Sequence, residues 1–241
     1  MSQHAIATTI QSQETARQTV AVDLPPLEAG DHLSRCEFER RYHARPDLKK
    51  AELIERKVYM PSPVRFQSHS EPHGWIIGCL TVYCAGTPGV RLGDNATVRL
   101  DLDNEPQPDA ILRIEPSAGG HSQISDDDYL EGAPELVVEV SASSASYDLH
   151  EKLRAYRRNG VQEYLVWRVH DKQLDWFTLS NEEYVRLTPD ASHIIQSQVF
   201  PGLRLDVAAL LARNLAQVLT ELQKGLGTPE HTAFVERLQN K

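Results

Sequence analysis

Cysteine is scarce in this chain, and the few cysteines that occur follow no functional spacing. Cys36, Cys79 and Cys84 are an odd number, and they match neither the paired spacing of a zinc site nor the framework of a disulfide-rich domain. Disulfides persist mainly in oxidising compartments, whereas free thiols are typical of the cytoplasm. We therefore expect a protein of the reducing cytoplasm.

Long apolar runs are also missing. No run approaches the roughly 20 apolar residues that a helix needs to cross a bilayer. The first residues, MSQHAIATTIQSQETARQ, have neither the basic start nor the apolar stretch of a signal peptide. The sequence therefore predicts a cytoplasmic protein without a membrane partner.

An excess of basic residues is missing as well. The chain has 25 Lys and Arg against 34 Asp and Glu, a formal net charge of −9, which argues weakly against nucleic acid as a partner. The charges are segregated, because residues 101–131 hold nine acids and one base while residues 35–57 hold eight bases and five acids. This pattern suits carboxylates for a cation beside bases for an anion, and it equally suits ordinary charge patchiness.

The periodicity of the apolar residues predicts a mixed α/β domain. It indicates helices over 33–43 and 73–83, an extended run over 51–63, and an alternating strand over 96–102. A β-branched strand at 135–141, a helix at 147–160 and a strand at 162–169 imply a parallel pair with a right-handed crossover. The remaining strands form hairpins. We therefore expect an α/β or α+β fold with a mixed β-sheet flanked by helices.

The composition divides the chain into three segments. Residues 1–30 are polar and are predicted to be a disordered lead, residues 31–211 form the domain, and residues 212–241 form a C-terminal helical extension. An amphipathic helix is predicted over 206–225. Its apolar side is expected to dock on the domain, and self-association is the alternative.

One carboxylate is placed in an apolar strand. In ELVVEVS, Glu139 shares a face with Val137, near the C-terminal end of the strand. A carboxylate in such a setting must be paired, metal-bound or protonated, unless it simply reaches solvent at the strand end. Sites gather at the C-terminal ends of strands in open α/β sheets, so Glu139 is a candidate site residue.

One lysine is placed on the apolar side of the following helix. Leu149, Lys152, Leu153 and Tyr156 fall at i, i+3, i+4 and i+7 and form one face. A local ion pair with Asp148 or snorkelling of the lysine stem would explain Lys152 without a site. A functional role is the other interpretation.

Two further acids complete the candidate group. Asp109 follows two prolines at the start of the strand AILRI, and Glu52 shares a strand face with Ile54. Taken alone, Asp109 is interpreted as an ordinary turn aspartate and Glu52 as an ordinary surface acid. Carboxylates with a lysine suit Mg²⁺ or Mn²⁺ and phosphodiester hydrolysis, because oxygen ligands favour these ions and an ammonium offsets negative charge.

The histidines and serines nearby are weaker candidates. His69 and His73 in SHSEPHG could ligate a metal, although a solvent-facing or capping role is the favoured interpretation, and His73 is the more plausible site neighbour. The serines of SASSAS lack a nucleophile-elbow motif and are expected to cap the helix.

The proline–aspartate pair at 108–109, Glu139 in its strand and the later lysine resemble the PD-(D/E)XK nuclease superfamily, whose fold is restriction-endonuclease-like. The segments AELIERKVYMPSP, NATVRLDLDNEPQPDAILRI and GAPELVVEVSASSASYDLHEKLRAYRRNGVQEYLVWRV resemble the Uma-two family of endonucleases, over about residues 33–211. The resemblance implies a Mg²⁺- or Mn²⁺-dependent endonuclease acting on DNA, with the homodimer as the expected state.

The resemblance also implies roles for the candidate residues. Asp109 and Glu139 would be metal ligands, Lys152 the catalytic lysine and Glu52 an additional acid. The superfamily lysine usually lies two residues after the acid, where this chain has Ser141, so Lys152 must reach the site from the helix.

Two rival interpretations remain open. The chain could be a catalytically inactive nuclease-fold protein used for binding or assembly, which the acidic charge and Ser141 favour. It could also be a metal-dependent phosphohydrolase that acts on a small nucleotide, which would need an enclosed pocket.

Overall fold

The computed structural model describes residues 24–240, apart from Ser62 and Ser143. Most of the predicted disordered lead, residues 1–23, lies outside the described residues. The part that is described joins the domain, because Leu27 is buried with Phe38 and Leu53, and the backbone N–H of Gly30 donates to Val58 O at 2.8 Å.

The described residues form seven α-helices and thirteen β-strands. The helices are α1 (Arg35–His43), α2 (Glu71–Ala85), α3 (Ala145–Tyr147), α4 (Leu153–Arg158), α5 (Val207–Leu211), α6 (Leu215–Leu226) and α7 (Pro229–Gln239). The strands are β1 (Glu52–Ile54), β2 (Lys57–Tyr59), β3 (Val90–Asp94), β4 (Val98–Arg99), β5 (Ala110–Ile114), β6 (Gln123–Ile124), β7 (Leu130–Glu131), β8 (Leu136–Ser141), β9 (Glu163–Arg168), β10 (Gln173–Ser180), β11 (Glu183–Arg186), β12 (Ile194–Gln196) and β13 (Arg204–Asp206). Two π-helical turns, Phe66–Ser70 and Asp148–Lys152, precede α2 and α4.

The central sheet has six strands in the order β11-β10-β9-β8-β5-β3. Strands β8 and β9 are parallel, and every other neighbouring pair in this sheet is antiparallel. The helical segment from α3 to α4 joins the parallel pair, as a crossover connection requires. The predicted mixed sheet and its parallel pair are therefore confirmed.

Helices cover both faces of the sheet. On one face, Leu136, Val138 and Val140 of β8 pack in a cluster that also contains residues of α2, α5, α6 and α7. On the other face, Val137 packs in a second cluster with Tyr156 of α4. The predicted alternation of β8 is thus correct, and it leaves Glu139 on the α4 face.

Some predicted elements are wrong in detail. The extended run over 51–63 is a β1–β2 hairpin, turned at Glu55 and Arg56 with φ of 50° and 67°. Such a type I′ turn normally carries Asn or Gly, so its sequence gives no turn signal. Of the strand predicted over 96–102, only the two residues of β4 form a strand. The sequence pattern does not predict the edge strand β3.

The predicted helix over 206–225 is divided into α5 and α6. Arg213 adopts a left-handed φ of 62°, which ends α5, and the Asn214 side chain then caps α6 by accepting from Gln217 N at 3.2 Å. The apolar pattern of the sequence continues across the break between α5 and α6, because the apolar residues of both helices pack in the same core.

The C-terminal helices dock on the domain. Val218 and Leu222 of α6 are fully buried, as is Phe234 of α7. The α6 backbone approaches the turn before β13 so closely that a Cβ at Gly225 would lie 2.1 Å from Gly202 O. The apolar side of α6 is thus used within the chain, which removes one argument for self-association. Across the described residues, no helix has the length and apolarity of a membrane span.

A buried carboxyl lies where β1 meets the loop before β5. Leu53 and Glu105 form an isolated backbone bridge, and the Glu105 side chain is only 2 % exposed. Burial, together with a hydrogen bond that protonated Glu105 donates to the neighbouring Glu39, raises the pKa of Glu105 to about 8. Glu39 itself accepts from Arg99 Nε at 2.8 Å, so Glu105 is the acid that retains its proton.

Raising the pH from 5 to 9 is expected to destabilise the fold through Glu105. Between its unfolded pKa near 4.5 and its folded pKa, the folded state binds more protons than the unfolded state, so stability falls as pH rises. The contribution is about 4 kcal/mol. Urea unfolding at both pH values measures it, with Glu105→Gln as the comparison. Equal pH dependence in the two proteins would contradict the assignment.

Candidate active site

Three of the predicted residues meet in one buried ion group. Lys152 Nζ donates to Glu52 Oε1 at 2.9 Å and to Glu139 Oε1 at 2.8 Å. None of the three residues is more than 5 % exposed. Lys152 therefore bridges β1 and β8, two strands that belong to different sheets.

The π-helical turn Asp148–Lys152 places the lysine on the inward side of the helix. The following residue on that face, Tyr156, is fully buried and donates from its hydroxyl to Glu139 Oε1 at 3.0 Å. A local ion pair between Asp148 and Lys152 does not form, because the Asp148 carboxylate instead accepts from Ser144 Oγ at 2.6 Å. π-helical turns recur at functional sites, where they shift the phase of a helix.

Asp109 lies directly beside this ion group. Ala110 pairs with Val138, so the register places Asp109 opposite Glu139 at the next position. The backbone N–H of Val140 donates to Asp109 Oδ2 at 2.7 Å, and Lys50 Nζ approaches Oδ1 at 4.0 Å. We call Glu52, Asp109, Glu139 and Lys152 the candidate active site.

His69 contacts Asp109, although sequence reasoning favoured His73. His69 Nε2 lies 3.3 Å from Asp109 Oδ1, and its Nδ1 lies 2.9 Å from Val140 O. Both ring nitrogens face acceptors, so the imidazolium form satisfies both contacts. The hydrogen bond that His69 donates to Asp109 raises the pKa of His69 accordingly. The π-helical turn Phe66–Ser70 supplies this position, and helical spacing could not have indicated it.

His73 lies one turn further on and contacts the backbone of the site. Its Nε2 is 2.9 Å from Asp109 O and 3.1 Å from Asp94 Oδ1. His73 therefore ties the start of β5 to the end of β3. It touches no carboxylate oxygen of the candidate active site.

The candidate active site contains more acidic groups than basic groups. Burial acts to lower the pKa of Lys152, but the charges of Glu139 and Glu52 outweigh it and raise that pKa well above its usual range. Burial raises the pKa of Glu139, with Asp109 among the contributing charges, even though Lys152 opposes the shift. One ammonium lies among several carboxyl groups. The surplus of negative charge favours the protonated form of Lys152 and of Glu139 alike.

The pKa of Asp109 is shifted in the direction opposite to that of Glu139. Burial acts to raise the pKa of Asp109, but the hydrogen bond and charge of His69, together with Lys50, hold it below its usual range. Asp148, buried nearby, has a pKa raised by burial. Lys152 is thus the cation paired with Glu52 and Glu139, whereas His69 and Lys50 are the cations beside Asp109.

The donor atoms suit a hard divalent cation. Among the hydrogen bonds of the described residues, Glu52 and Glu139 each accept through Oε1, which leaves the second oxygen of each without a donor. Within residues 24–240 as described, no group of three or more His, Cys, Asp or Glu is arranged to hold a metal. Mg²⁺ binds through one or two carboxylates with water and phosphate as its other ligands, so the residues fit this ion.

The site thus lies on a mixed six-stranded sheet flanked by helices, with Asp109 and Glu139 on neighbouring strands and Lys152 on the helical segment that follows β8. The model of the Uma2 family, described as "Putative restriction endonuclease", matches residues 36–208. The chain therefore belongs to the Uma2 family.

A solved structure is also similar to this chain. It is described as a putative nuclease belonging to DUF820 from Anabaena variabilis ATCC 29413, with 12 % identity and a TM-score of 0.49, and the match covers 71 % of this chain and 90 % of that one. A likeness this distant carries no argument about function. No curated protein matches the chain.

Proposed function

We propose that the chain is a metal-dependent endonuclease that hydrolyses DNA phosphodiester bonds at the candidate active site. The observation that carries the proposal is the buried contact of Lys152 with Glu139 at 2.8 Å. This contact supports a catalytic role for a lysine thirteen residues after the acid, in a chain that has Ser141 at the usual sequence position of the superfamily lysine.

Each residue of the site has a distinct proposed role. Asp109 and Glu139 would hold Mg²⁺ or Mn²⁺, since the register of β5 and β8 puts the two residues opposite each other. When bound, such an ion polarises a phosphate oxygen and makes water a better nucleophile. Lys152 supplies a fixed positive charge for the phosphate oxygens. Glu52, which also accepts from Gln107 N at 2.7 Å, orients the ammonium.

The rival scaffold function has an observation of its own in its favour. The Lys152 ammonium is 3 % exposed and already serves two carboxylates, as a purely structural ion group would. An inactive protein could retain this group because removing one partner of a buried ion pair is costly. The homodimer and the cytoplasmic location stay predictions.

Cleavage of DNA with and without metal tests the proposal. Purified protein is incubated with plasmid and oligonucleotide DNA in Mg²⁺, in Mn²⁺ and in chelator, beside Glu139→Gln. We expect cleavage that needs the metal and falls at least about 100-fold in the variant, because the variant loses a ligand charge. The matched control is Glu163→Gln, which alters another buried acid on the adjacent strand β9.

The outcomes separate the two functions. Cleavage that survives Glu139→Gln would refute the site assignment. Absence of cleavage by the wild-type protein, together with no heat of Mn²⁺ binding, would support the scaffold function.

A further inference from the structure

A basic groove of about 520 Å³ lies beside the candidate active site. Its described lining residues are Arg65, Gln67, Ser68, Val169, His170, Lys172 and Arg213, and no acid is among them. The whole chain has a net charge of −9, so this lining is opposite in sign to the average surface. A concave surface of one charge raises the local concentration of ions of the other charge. The groove therefore favours an anionic ligand.

Both walls of the groove contain a residue that is connected to a neighbour of the candidate active site. On one wall, Ser68 immediately precedes His69, whose Nε2 lies 3.3 Å from Asp109 Oδ1. On the other wall, the backbone N–H of Val169 donates to Ser141 O at 2.9 Å, two residues after Glu139. A chain-like anion lying in the groove would thus lie next to residues that contact neighbours of the candidate active site.

Within the part of the chain that the structure describes, two of the cations in the groove have no carboxylate partner. Arg213 is occupied, because it pairs with Glu71 Oε2 at 2.8 Å and donates to Gln67 O at 3.2 Å. Arg65 and Lys172 form no ion pair with any described residue. The nearby Asp171 is engaged by Arg168 Nη1 at 2.6 Å. Arg213 thus holds the groove wall, and the other two cations remain available for phosphates.

An exposed aromatic side chain is the sequence neighbour of Arg65 at the edge of the described groove lining. Phe66 is 69 % exposed and stands in sequence between the lining residues Arg65 and Gln67, and Val64 is 67 % exposed. Exposed aromatic side chains next to basic grooves are stacking platforms for unpaired bases. A base inside a duplex is already stacked and cannot use such a platform.

We propose that this groove binds a single-stranded stretch of DNA next to the bond that is cut. Arg65 and Lys172 contact its phosphates, and Phe66 stacks on an unpaired base. The inference rests on the proposed function, which gives the place where the DNA is cut. It adds that the DNA bound beside this place is single-stranded. A single strand needs one site for each cut, so this mode of binding does not depend on a dimer.

Fluorescence anisotropy in chelator tests binding without cleavage. The probes are a labelled 20-nucleotide single strand and the duplex of the same sequence. We expect wild-type protein to bind the single strand at least tenfold more tightly than the duplex. Arg65→Ala/Lys172→Ala should weaken binding at least tenfold and reduce the slope of log K against log salt by about 1.4, since each contact with a single strand contributes about 0.7.

Two further variants sharpen this test. Phe66→Ala should weaken binding of the single strand by about tenfold and leave binding of the duplex unchanged. Lys224→Ala/Arg237→Ala removes the same net charge from the C-terminal helices and should stay within twofold of wild type. The proposal is overturned if the groove variant also stays within twofold, or if the duplex binds more tightly.

Failure of the groove and failure of the proposed function can be told apart. If the wild-type protein cleaves DNA in Mn²⁺ and the groove variant has an unchanged KM, the groove proposal fails and the nuclease proposal stands. If the wild-type protein binds the single strand as expected but cleaves no DNA, the nuclease proposal fails and the groove proposal stands.

Discussion

Replacing Lys152 by methionine is expected to lower the free energy of unfolding by about 3–5 kcal/mol, because it leaves two buried carboxylates without their cation. Glu52 and Glu139 both accept from the same ammonium, at 2.9 Å and 2.8 Å. Methionine matches the lysine stem in shape, so the loss reports the charge rather than packing. Urea unfolding followed by circular dichroism measures the change.

Neutralising the whole ion group separates structure from catalysis. In the triple variant Glu52→Gln/Glu139→Gln/Lys152→Met, no unpaired charge remains, and most of the lost stability should return. DNA cleavage should not return, because the ligand and the ammonium are both gone. Lys172→Met, on the surface, is the stability control. A loss below about 1 kcal/mol for Lys152→Met would contradict the paired geometry.

Replacing Asp109 by asparagine is expected to reduce metal-dependent cleavage by at least about 100-fold. The substitution keeps the size of the side chain, and its amide oxygen can still accept from Val140 N, as Oδ2 now does at 2.7 Å. It removes the charge that would hold the cation and that pairs with His69 at 3.3 Å. Plasmid cleavage in Mn²⁺ gives the rate, and calorimetry gives the affinity for Mn²⁺.

A neighbouring aspartate supplies the control for this second experiment. Asp94 lies at the end of β3, where it contacts His73 Nε2 at 3.1 Å and is largely exposed. Asp94→Asn should leave both cleavage and Mn²⁺ affinity within about threefold of wild type. Cleavage by Asp109→Asn at the wild-type rate would remove Asp109 from the metal site.

The local architecture around β8 could be predicted because its pattern is strong. The segment contains a β-branched strand, then a helix with apolar residues at i, i+4 and i+7, then a second apolar strand. This order indicates a parallel pair of strands, and the structure contains that pair. The strand face that carries Glu139 and the helix side that carries Lys152 also follow from periods of two and 3.6 residues. These are properties of neighbouring residues in one segment.

Other elements escaped prediction because non-glycine residues adopt left-handed conformations. Glu55 and Arg56 turn the β1–β2 hairpin, and Arg213 ends α5, all with positive φ. Such conformations are rare for these residue types and persist only when tertiary contacts hold them. The contacts of Arg213 with Glu71 and Gln67 show how this is achieved at the break before α6.

The sequence by itself determined that two charges, Glu139 and Lys152, must lie where apolar residues are expected. Only the tertiary structure decided their partners. Glu52 is 100 residues from Lys152 in the chain, and His69 reaches Asp109 through a π-helical turn that no periodicity reports. The physical reason is that periodicity records which side of one element is buried, whereas the pairing of a buried charge depends on which elements pack together.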